Sequence, residues 1–493
     1  MLKKIASNTI AQIISKIGTA LISIVLIGIL TNYLTVELFG TYNKVYNYIY
    51  IFSFLVDLWL YAITIKEISA NKKNTSYIFW NILTLRLLTW LFVIIAAPTI
   101  AYFLPWYNSS IIIESIIILG FFALFSLINS SMLALMQAYM KIEYSLFSVI
   151  TWKLVILWLV VYITKNLFTN PHIYWYNKPF LAIMLAWMIW IAINAFLNYL
   201  YARKITHIKL FFDWKYIKHI FFTSLPYWLA LFLSVVYTKI DIVLLSLVEH
   251  WAIAERSIAL YSLPLKIMDV FMMMGAFLLN SLLPSLSEAY KEKKLDKIQN
   301  ISQNTFKLLF AFWVWIISLW IVFKDYIVNL IANPNYLEVT PLNQYTSADA
   351  FNIVFFMLLF FYLWLVFSYL LVATERQNRL LKISIILTLV NIIWNILLIP
   401  KFSFVWAWLV TVFTQIIFLF LTYFYSKDII KFKFPIKFMF IVTIIWIFIY
   451  FISYFLITKL SLWWYYNLIY WFWIFGIYSY ILWYREYKEI KKA

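Results

Sequence analysis

The chain has 493 residues; 65% are hydrophobic, only 12% are charged, and the formal net charge is +19. Soluble domains sit at roughly 45–50% apolar and about 25% charged, so this composition excludes a soluble globular chain and leaves lipid as the solvent. The basic residues are scattered among apolar segments rather than gathered in a patch, which excludes a nucleic-acid binder and predicts a membrane protein with cationic loops.

The start, MLKKIASNTIAQIISKIGTALISIVLIGIL, lacks a small-residue cleavage site and is too long for a signal-peptide core, so it reads as a retained first membrane helix. A membrane helix needs about 20 mostly apolar residues. On that basis the chain predicts fourteen spans: 9–33, 43–65, 78–104, 111–137, 145–164, 179–201, 217–247, 258–286, 304–331, 349–373, 380–399, 403–424, 436–457 and 463–484. Pro226, Pro264 and Pro284 mark the long seventh and eighth spans for kinks or broken turns. The longest connections, 202–216, 287–303 and 332–348, are too short to fold alone.

One alternating set of loops holds 26 lysines and arginines, and the other holds 6. Cationic loops stay in the cytoplasm, so both termini are predicted to be cytoplasmic in a multi-pass plasma-membrane protein. A missed or invented helix would have exchanged the two sets partway along. The halves also resemble each other: VELFGTYNKVYNYIYIFSFLVDL follows the first span and AERSIALYSLPLKIMDVFMMMGA follows the seventh. Each follows a short external loop and places a Tyr at the opening of the next span. Two parallel halves of this kind commonly meet around a central substrate site.

Glycine occurs 6 times and tryptophan 25 times. About 35 glycines would be ordinary for this length, close to the combined count of the two. Aromatic belts place Trp at helix ends, yet Trp152, Trp187, Trp190, Trp315, Trp364, Trp406, Trp408 and Trp446 fall inside spans. The pattern predicts that many of these positions are UGA codons that the host reads as glycine.

A charge inside hydrocarbon is a functional-site hypothesis. Lys16, Lys44 and Lys307 lie near helix ends and are expected to snorkel to the interface. Arg86, Lys153, Lys239 and Lys266 are deeper or beside acids. Lys266 and Asp269 are three apart and share a helix face. Lys239 and Asp241 are two apart, so they diverge toward different neighbours. Asp57 and Glu114 are the other intramembrane acids. Together these predict a cationic cavity for an anionic headgroup, with carboxylates for pairing or for ion or proton coupling; interhelical structural pairs are the alternative. With no cysteine, and four histidines lying between or at the edges of spans, neither a disulfide nor a metal centre is expected. No glycine-rich phosphate loop or P-loop lysine is present, and no catalytic constellation or cofactor is expected.

ELFGTYN with DLWLYAITIKEIS (Glu37 to Ser69), KIDIVLLSL with ALYSLPLKIMDV and LLPSLSEAY, and VNIIWNILLIPKFSFVWAWLVTVFTQ (Val390 to Gln415) resemble, in that order and spacing, the polysaccharide biosynthesis or oligosaccharide flippase family of the multidrug/oligosaccharidyl-lipid/polysaccharide exporter superfamily. Trp59, Trp251 and Trp406 stand where that family usually has glycine. The resemblance implies an all-α integral membrane protein of about fourteen helices. It would have a six-helix lobe over 1–204, a second over 205–426, and two additional helices with a cytoplasmic tail over 427–493. It implies alternating access that moves polyprenyl-diphosphate-linked oligosaccharide to the outer leaflet, with a polysaccharide polymerase and other glycan-assembly proteins as partners. Arg86, Lys153, Lys239 and Lys266 would then contact the diphosphate headgroup, and Asp57, Asp241 and Asp269 would pair or couple an ion. The alternatives are a peptidoglycan-precursor flippase, a multidrug antiporter of the same superfamily and, in a different class, an integral-membrane glycan polymerase or ligase.

Overall fold

The computed structural model describes residues 2–57, 60–139, 143–169, 177–205, 211–250, 253–341 and 344–460. Among them the ordered elements are helices: α1 (Leu2–Tyr33), α2 (Val36–Asp57), α3 (Leu60–Ala70), α4 (Thr75–Phe103), α5 (Ser110–Ala138), α6 (Glu143–Tyr162), α7 (Asn177–Arg203), α8 (Trp214–Val248), α9 (Ala254–Lys291), α10 (Leu295–Ile331), α11 (Ser347–Ala373), α12 (Gln377–Phe402), α13 (Phe404–Ser426) and α14 (Ile436–Leu460). In lipid every backbone polar group must be satisfied within the chain, and helices do this segment by segment. Seven of these helices are long and apolar enough on their own to cross a membrane, and Gly18–Tyr33 and Ile436–Phe448 are shorter apolar stretches.

The first thirteen predicted spans each fall on described helix; the fourteenth, 463–484, lies outside the described residues. The second predicted span falls on α2 and α3, and residues 58 and 59 between them lie outside the described residues. Despite their prolines, α8 and α9 run as continuous helices of 35 and 38 residues.

Local chemistry sets several helix starts. The Thr35 hydroxyl accepts from the Leu38 N–H at 3.2 Å, opening α2, and Glu37 lies in the first turn, where a carboxylate opposes the helix dipole. Asp213 caps α8 by accepting from the Lys215 and Tyr216 amides. Thr346 and Asp349 form a reciprocal capping box on α11.

The chain divides into two compact units. The first holds residues 1–267, 331–344 and 380–410. One core within it joins α3, α4, α5, α7 and α8 through Leu60, Ile82, Leu135, Ala202 and Ile220. At the end of this unit carrying the 104–109 connection, α2 meets the start of α9. A Cβ on Gly40 would lie 1.8 Å from the Glu255 carbonyl oxygen, so only glycine permits this approach of two backbones. Thr31 and Asn32 donate to the Ile331 carbonyl at 2.9 and 3.0 Å, and Asn333 returns a bond to the Thr31 carbonyl at 2.7 Å.

The second unit holds residues 268–330, 345–379 and 411–493. Trp320 stacks on Phe351 and Phe355 at 4.3 and 4.7 Å between ring centroids. The Trp313 indole donates to the Phe355 carbonyl and Tyr362 to the Phe271 carbonyl. At one edge, Arg379 pairs with Asp428 at 2.8 Å.

Candidate functional site: a tyrosine-lined cavity and two buried carboxylates

α2 places Tyr42, Tyr46 and Tyr50 at successive i,i+4 positions, and such positions share one helix face. The rings form a column with centroids 6.2 Å apart at each step and interplanar angles of 14° and 27°. Tyr42 is buried, Tyr46 half-buried and Tyr50 38% exposed. Ser53 and Asp57 follow farther along α2. Across from this stripe, α5 presents Ser126 and Ser130, and the two helices enclose a cavity of about 340 Å³. Small-ligand sites start at about 300 Å³.

Two predicted cations converge on the tyrosine column. The Lys266 ammonium sits 5.4 Å from the Tyr42 ring centroid and 5.0 Å from that of Tyr46. Lys239 sits 5.9 Å from that of Tyr50. An ammonium over a ring face is held by the ring's quadrupole.

Arg86 and Asp57 are brought together at one end of the cavity. Arg86 Nη2 lies 2.7 Å from Asp57 Oδ1, and Nη1 donates to the Leu127 carbonyl and the Ser131 hydroxyl. Arg86 is fully buried, whereas Asp57 lines the cavity and keeps a quarter of its side chain exposed. The carboxylate, rather than the guanidinium, is therefore what the cavity meets. Lys153 stands apart from this stripe. It donates to the Ser23 hydroxyl at 3.1 Å and lies over the rings of Trp187 and Trp190.

A second polar cluster surrounds Asp241 on α8. Its Oδ2 accepts from the Tyr261 hydroxyl at 2.9 Å and its Oδ1 from Asn395 Nδ2 at 3.2 Å. Asn395 Nδ2 also donates to Asn391 Oδ1 at 3.1 Å. Asp241, Asn391 and Asn395 are all buried. Asn395 Oδ1 and Asn391 Nδ2 have no hydrogen-bond partner. A buried amide oxygen left open beside a carboxylate can receive a proton donor or a small cation. Among the described residues no three His, Cys, Asp or Glu side chains group as a metal site. Asp269 lies half-buried on the part of α9 within the second unit.

Lys44 departs from expectation. Instead of snorkelling, it is fully buried, 3.1 Å from Glu255 Oε1, donates to the Trp106 carbonyl at 2.7 Å, and lies over the Tyr107 ring. Sequence position suggested an interfacial lysine because Lys44 is near a helix end; the partner on α9 is visible only in three dimensions. Glu114 is exposed near the start of α5, and the Lys16 side chain lies outside the described residues. Sequence reasoning also passed over the tyrosine column, although its i,i+4 spacing on α2 was there to be read.

Tyr107 and Glu249 extend the Lys44 end of the unit. Tyr107 hydrogen-bonds Ser246 at 2.8 Å, and burial raises its phenol well above the ordinary value. Burial likewise raises the Glu249 carboxyl, against the lowering effect of the Ser403 hydroxyl it accepts from.

None of the curated proteins matches the sequence. Among solved structures, the fold is similar to the lipid II flippase MurJ in an inward closed conformation. That match has a TM-score of 0.73 at 14% identity and covers 96% of this chain and 98% of that one. It is also similar to an inward-facing multidrug resistance MATE family transporter, with a TM-score of 0.67 at 13% identity over 85% of this chain and 97% of that one. A third similar structure is the MATE multidrug transporter DinF-BH, with a TM-score of 0.61 at 14% identity over 86% of this chain and 95% of that one. These matches place the chain in the expected all-α, multi-pass class of about fourteen membrane helices. The family model described as polysaccharide biosynthesis protein matches residues 5–289, and a second, MatE, matches residues 226–397. With more than half of its length matched in this way, the chain belongs to the polysaccharide biosynthesis protein family, within the multidrug/oligosaccharidyl-lipid/polysaccharide exporter superfamily of membrane transporters.

Proposed function

We propose that the protein is a flippase of the plasma membrane, with both termini cytoplasmic. It moves a polyprenyl-diphosphate-linked oligosaccharide from the cytoplasmic to the outer leaflet by alternating access. The carrying observation is the convergence of Lys239 and Lys266 on one stripe of α2 beside the cavity. A diphosphate needs cationic partners, and lysine serves as a point-charge phosphate binder. The glycan enters the cavity, where Ser53, Asp57, Ser126 and Ser130 supply the polar groups of its lining, while the lipid tail stays in the bilayer. Arg86 acts through Asp57, which it holds at the cavity wall, and Lys153 is a further headgroup-side cation on α6. Asp241, with Asn391 and Asn395, is the coupling site for a proton or a monovalent cation, and Asp269 on α9 is a further pairing carboxylate. The product passes to a polysaccharide polymerase and other glycan-assembly proteins. The protein itself makes and breaks no covalent bond.

Deletion of the gene tests this reading. Surface glycan is expected to fall while its lipid-linked precursor accumulates on the cytoplasmic side. Unchanged surface glycan in a host without a second flippase overturns it. Lys239→Ala is expected to impair translocation at unchanged membrane abundance.

A second reading, transport of a peptidoglycan lipid precursor, is favoured by the higher TM-score to the lipid II flippase than to either multidrug transporter. The accumulating lipid separates the two: a peptidoglycan precursor on depletion selects the second reading.

A further inference from the structure

The tyrosine column is more than helix packing. Packing alone would bury the whole stripe, yet its exposure rises from Tyr42 to Tyr50, and Tyr46 and Tyr50 line the cavity. The two lysines stand over ring faces of this same column. A pyranose ring offers an apolar face of C–H bonds with slight positive charge, which packs on the negative face of an aromatic ring. A sugar joined to a diphosphate carries its anionic charge directly beside that apolar face. Aromatic rings on α2 with ammonium groups of α8 and α9 set beside them complement such a ligand in both respects.

We propose that Tyr46 and Tyr50 form a stacking platform for the diphosphate-proximal sugar, with Lys239 and Lys266 taking the adjoining diphosphate. The column thereby makes the transporter select glycan-bearing lipids over bare lipid diphosphates. This rests on the flippase reading above. Tyr46 and Tyr50 are specificity-determining, through ring faces rather than hydroxyls.

The test uses the full chain in lipid nanodiscs and two probes, farnesyl diphosphate and farnesyl-diphospho-N-acetylglucosamine, with binding measured by calorimetry. Wild type is expected to bind the sugar-bearing probe at least tenfold more tightly. Tyr50→Ala, at the exposed end of the column, also removes the ring under Lys239, so it is expected to weaken both probes but the sugar-bearing one at least fivefold more, abolishing most of the preference. Tyr50→Phe and Tyr46→Phe are expected to keep it. Equal loss of both probes in Tyr50→Ala, or a retained preference, overturns the platform and leaves the tyrosines as packing. Wild type binding both probes equally overturns the platform while preserving the flippase reading. Wild type binding neither overturns both.

A different observation carries a second inference. Trp106 has a backbone φ of 64°, a left-handed conformation that glycine adopts freely and a bulky residue rarely does. In addition, the buried indole N–H groups of Trp80, Trp187, Trp190, Trp228, Trp320 and Trp408 have no hydrogen-bond partner, although buried indoles normally find one. We infer that the natural polypeptide carries glycine at Trp106, Trp80, Trp228 and Trp408, the codons being read as glycine in the host; Trp320, stacked on Phe351 and Phe355, and Trp187 and Trp190, under Lys153, are set apart by those contacts. Peptide mass spectrometry of the protein from its own membranes is expected to return glycine masses there; tryptophan masses overturn the inference. As an independent readout, Trp106→Gly in a recombinant chain is expected to raise the melting temperature, and a lowered one counts against it.

Discussion

Lys44 and Glu255 are 211 positions apart, yet Lys44 Nζ lies 3.1 Å from Glu255 Oε1. The lysine is fully buried, and the glutamate keeps 29% of its side chain exposed. Arg256, the next residue on α9, lies 3.6 Å from Glu37 and donates to the Asn335 and Glu338 carbonyls. These contacts bind the start of α2 to the start of α9. Removing one member of a buried pair strands the other charge, at a cost of about 3–5 kcal/mol when both are buried. With Glu255 partly exposed, Glu255→Gln is expected to fall below that range, near ~2 kcal/mol. Lys44→Met with Glu255→Gln should recover part of the loss. Thermal unfolding of the two single variants and the double variant in one detergent checks the coupling.

Gly40 makes that approach possible. Its absent Cβ would meet backbone, not the yielding end of a side chain. Gly40→Ala is expected to lose more than the roughly 1–3 kcal/mol typical of overpacking, because α2 or α9 must move. A melting temperature close to wild type would show that the two helices separate without cost.

Arg86 holds Asp57 within α4–α5 packing. Arg86→Ala leaves the Asp57 carboxylate without its guanidinium partner, and with Asp57 a quarter exposed the cost is expected to fall below the roughly 3–5 kcal/mol of a fully buried pair. Arg86→Lys should recover only a part, since one ammonium cannot reproduce the planar fork. Asp57→Asn keeps an acceptor toward Arg86 and should cost less. Unfolding midpoints rank the three variants.

Asp213 gives a pH dependence outside the membrane spans. Its carboxylate accepts from the Tyr77 hydroxyl at 2.6 Å and from two amides at the start of α8. The Tyr77 bond, followed by the amide bonds, holds its pKa below the ordinary carboxylate value. The unfolded chain therefore binds this proton more readily than the folded one. The stabilisation is full above the ordinary carboxylate pKa and is lost as pH falls through the lower, folded one. Asp213→Ala is expected to lower stability as a lost cap and to flatten the acid limb of the stability profile. Asp213→Asn should retain the cap while removing its titration.

Asp241 separates coupling from binding. Asp241→Asn preserves the contacts with Tyr261 and Asn395 in shape but removes the charge. Headgroup binding is expected to persist, and the dependence of translocation on a proton or cation gradient to disappear. Proteoliposome flux with and without the gradient measures both. Unchanged gradient dependence would move the coupling site elsewhere.

Composition and hydropathy by themselves determined that this chain spans a membrane as a helical bundle. A run of apolar residues long enough to cross has a helix as its economical solution, and that requirement is local. Loop charge predicted the alternation of the segments, and short motifs pointed to the family. Which charges meet was not legible. Asp57 and Arg86 occupy different helices, and nothing in their spacing distinguishes a pair from two separate cavity groups. Lys44 near a helix end reads as interfacial until Glu255 is brought beside it. Asn391 and Asn395 read as one motif on α12, but only folding places Asp241 next to them. Helix formation follows from neighbours along the chain, whereas each of these pairings depends on how helices far apart in sequence pack and rotate against one another. That packing is a property of the tertiary structure alone.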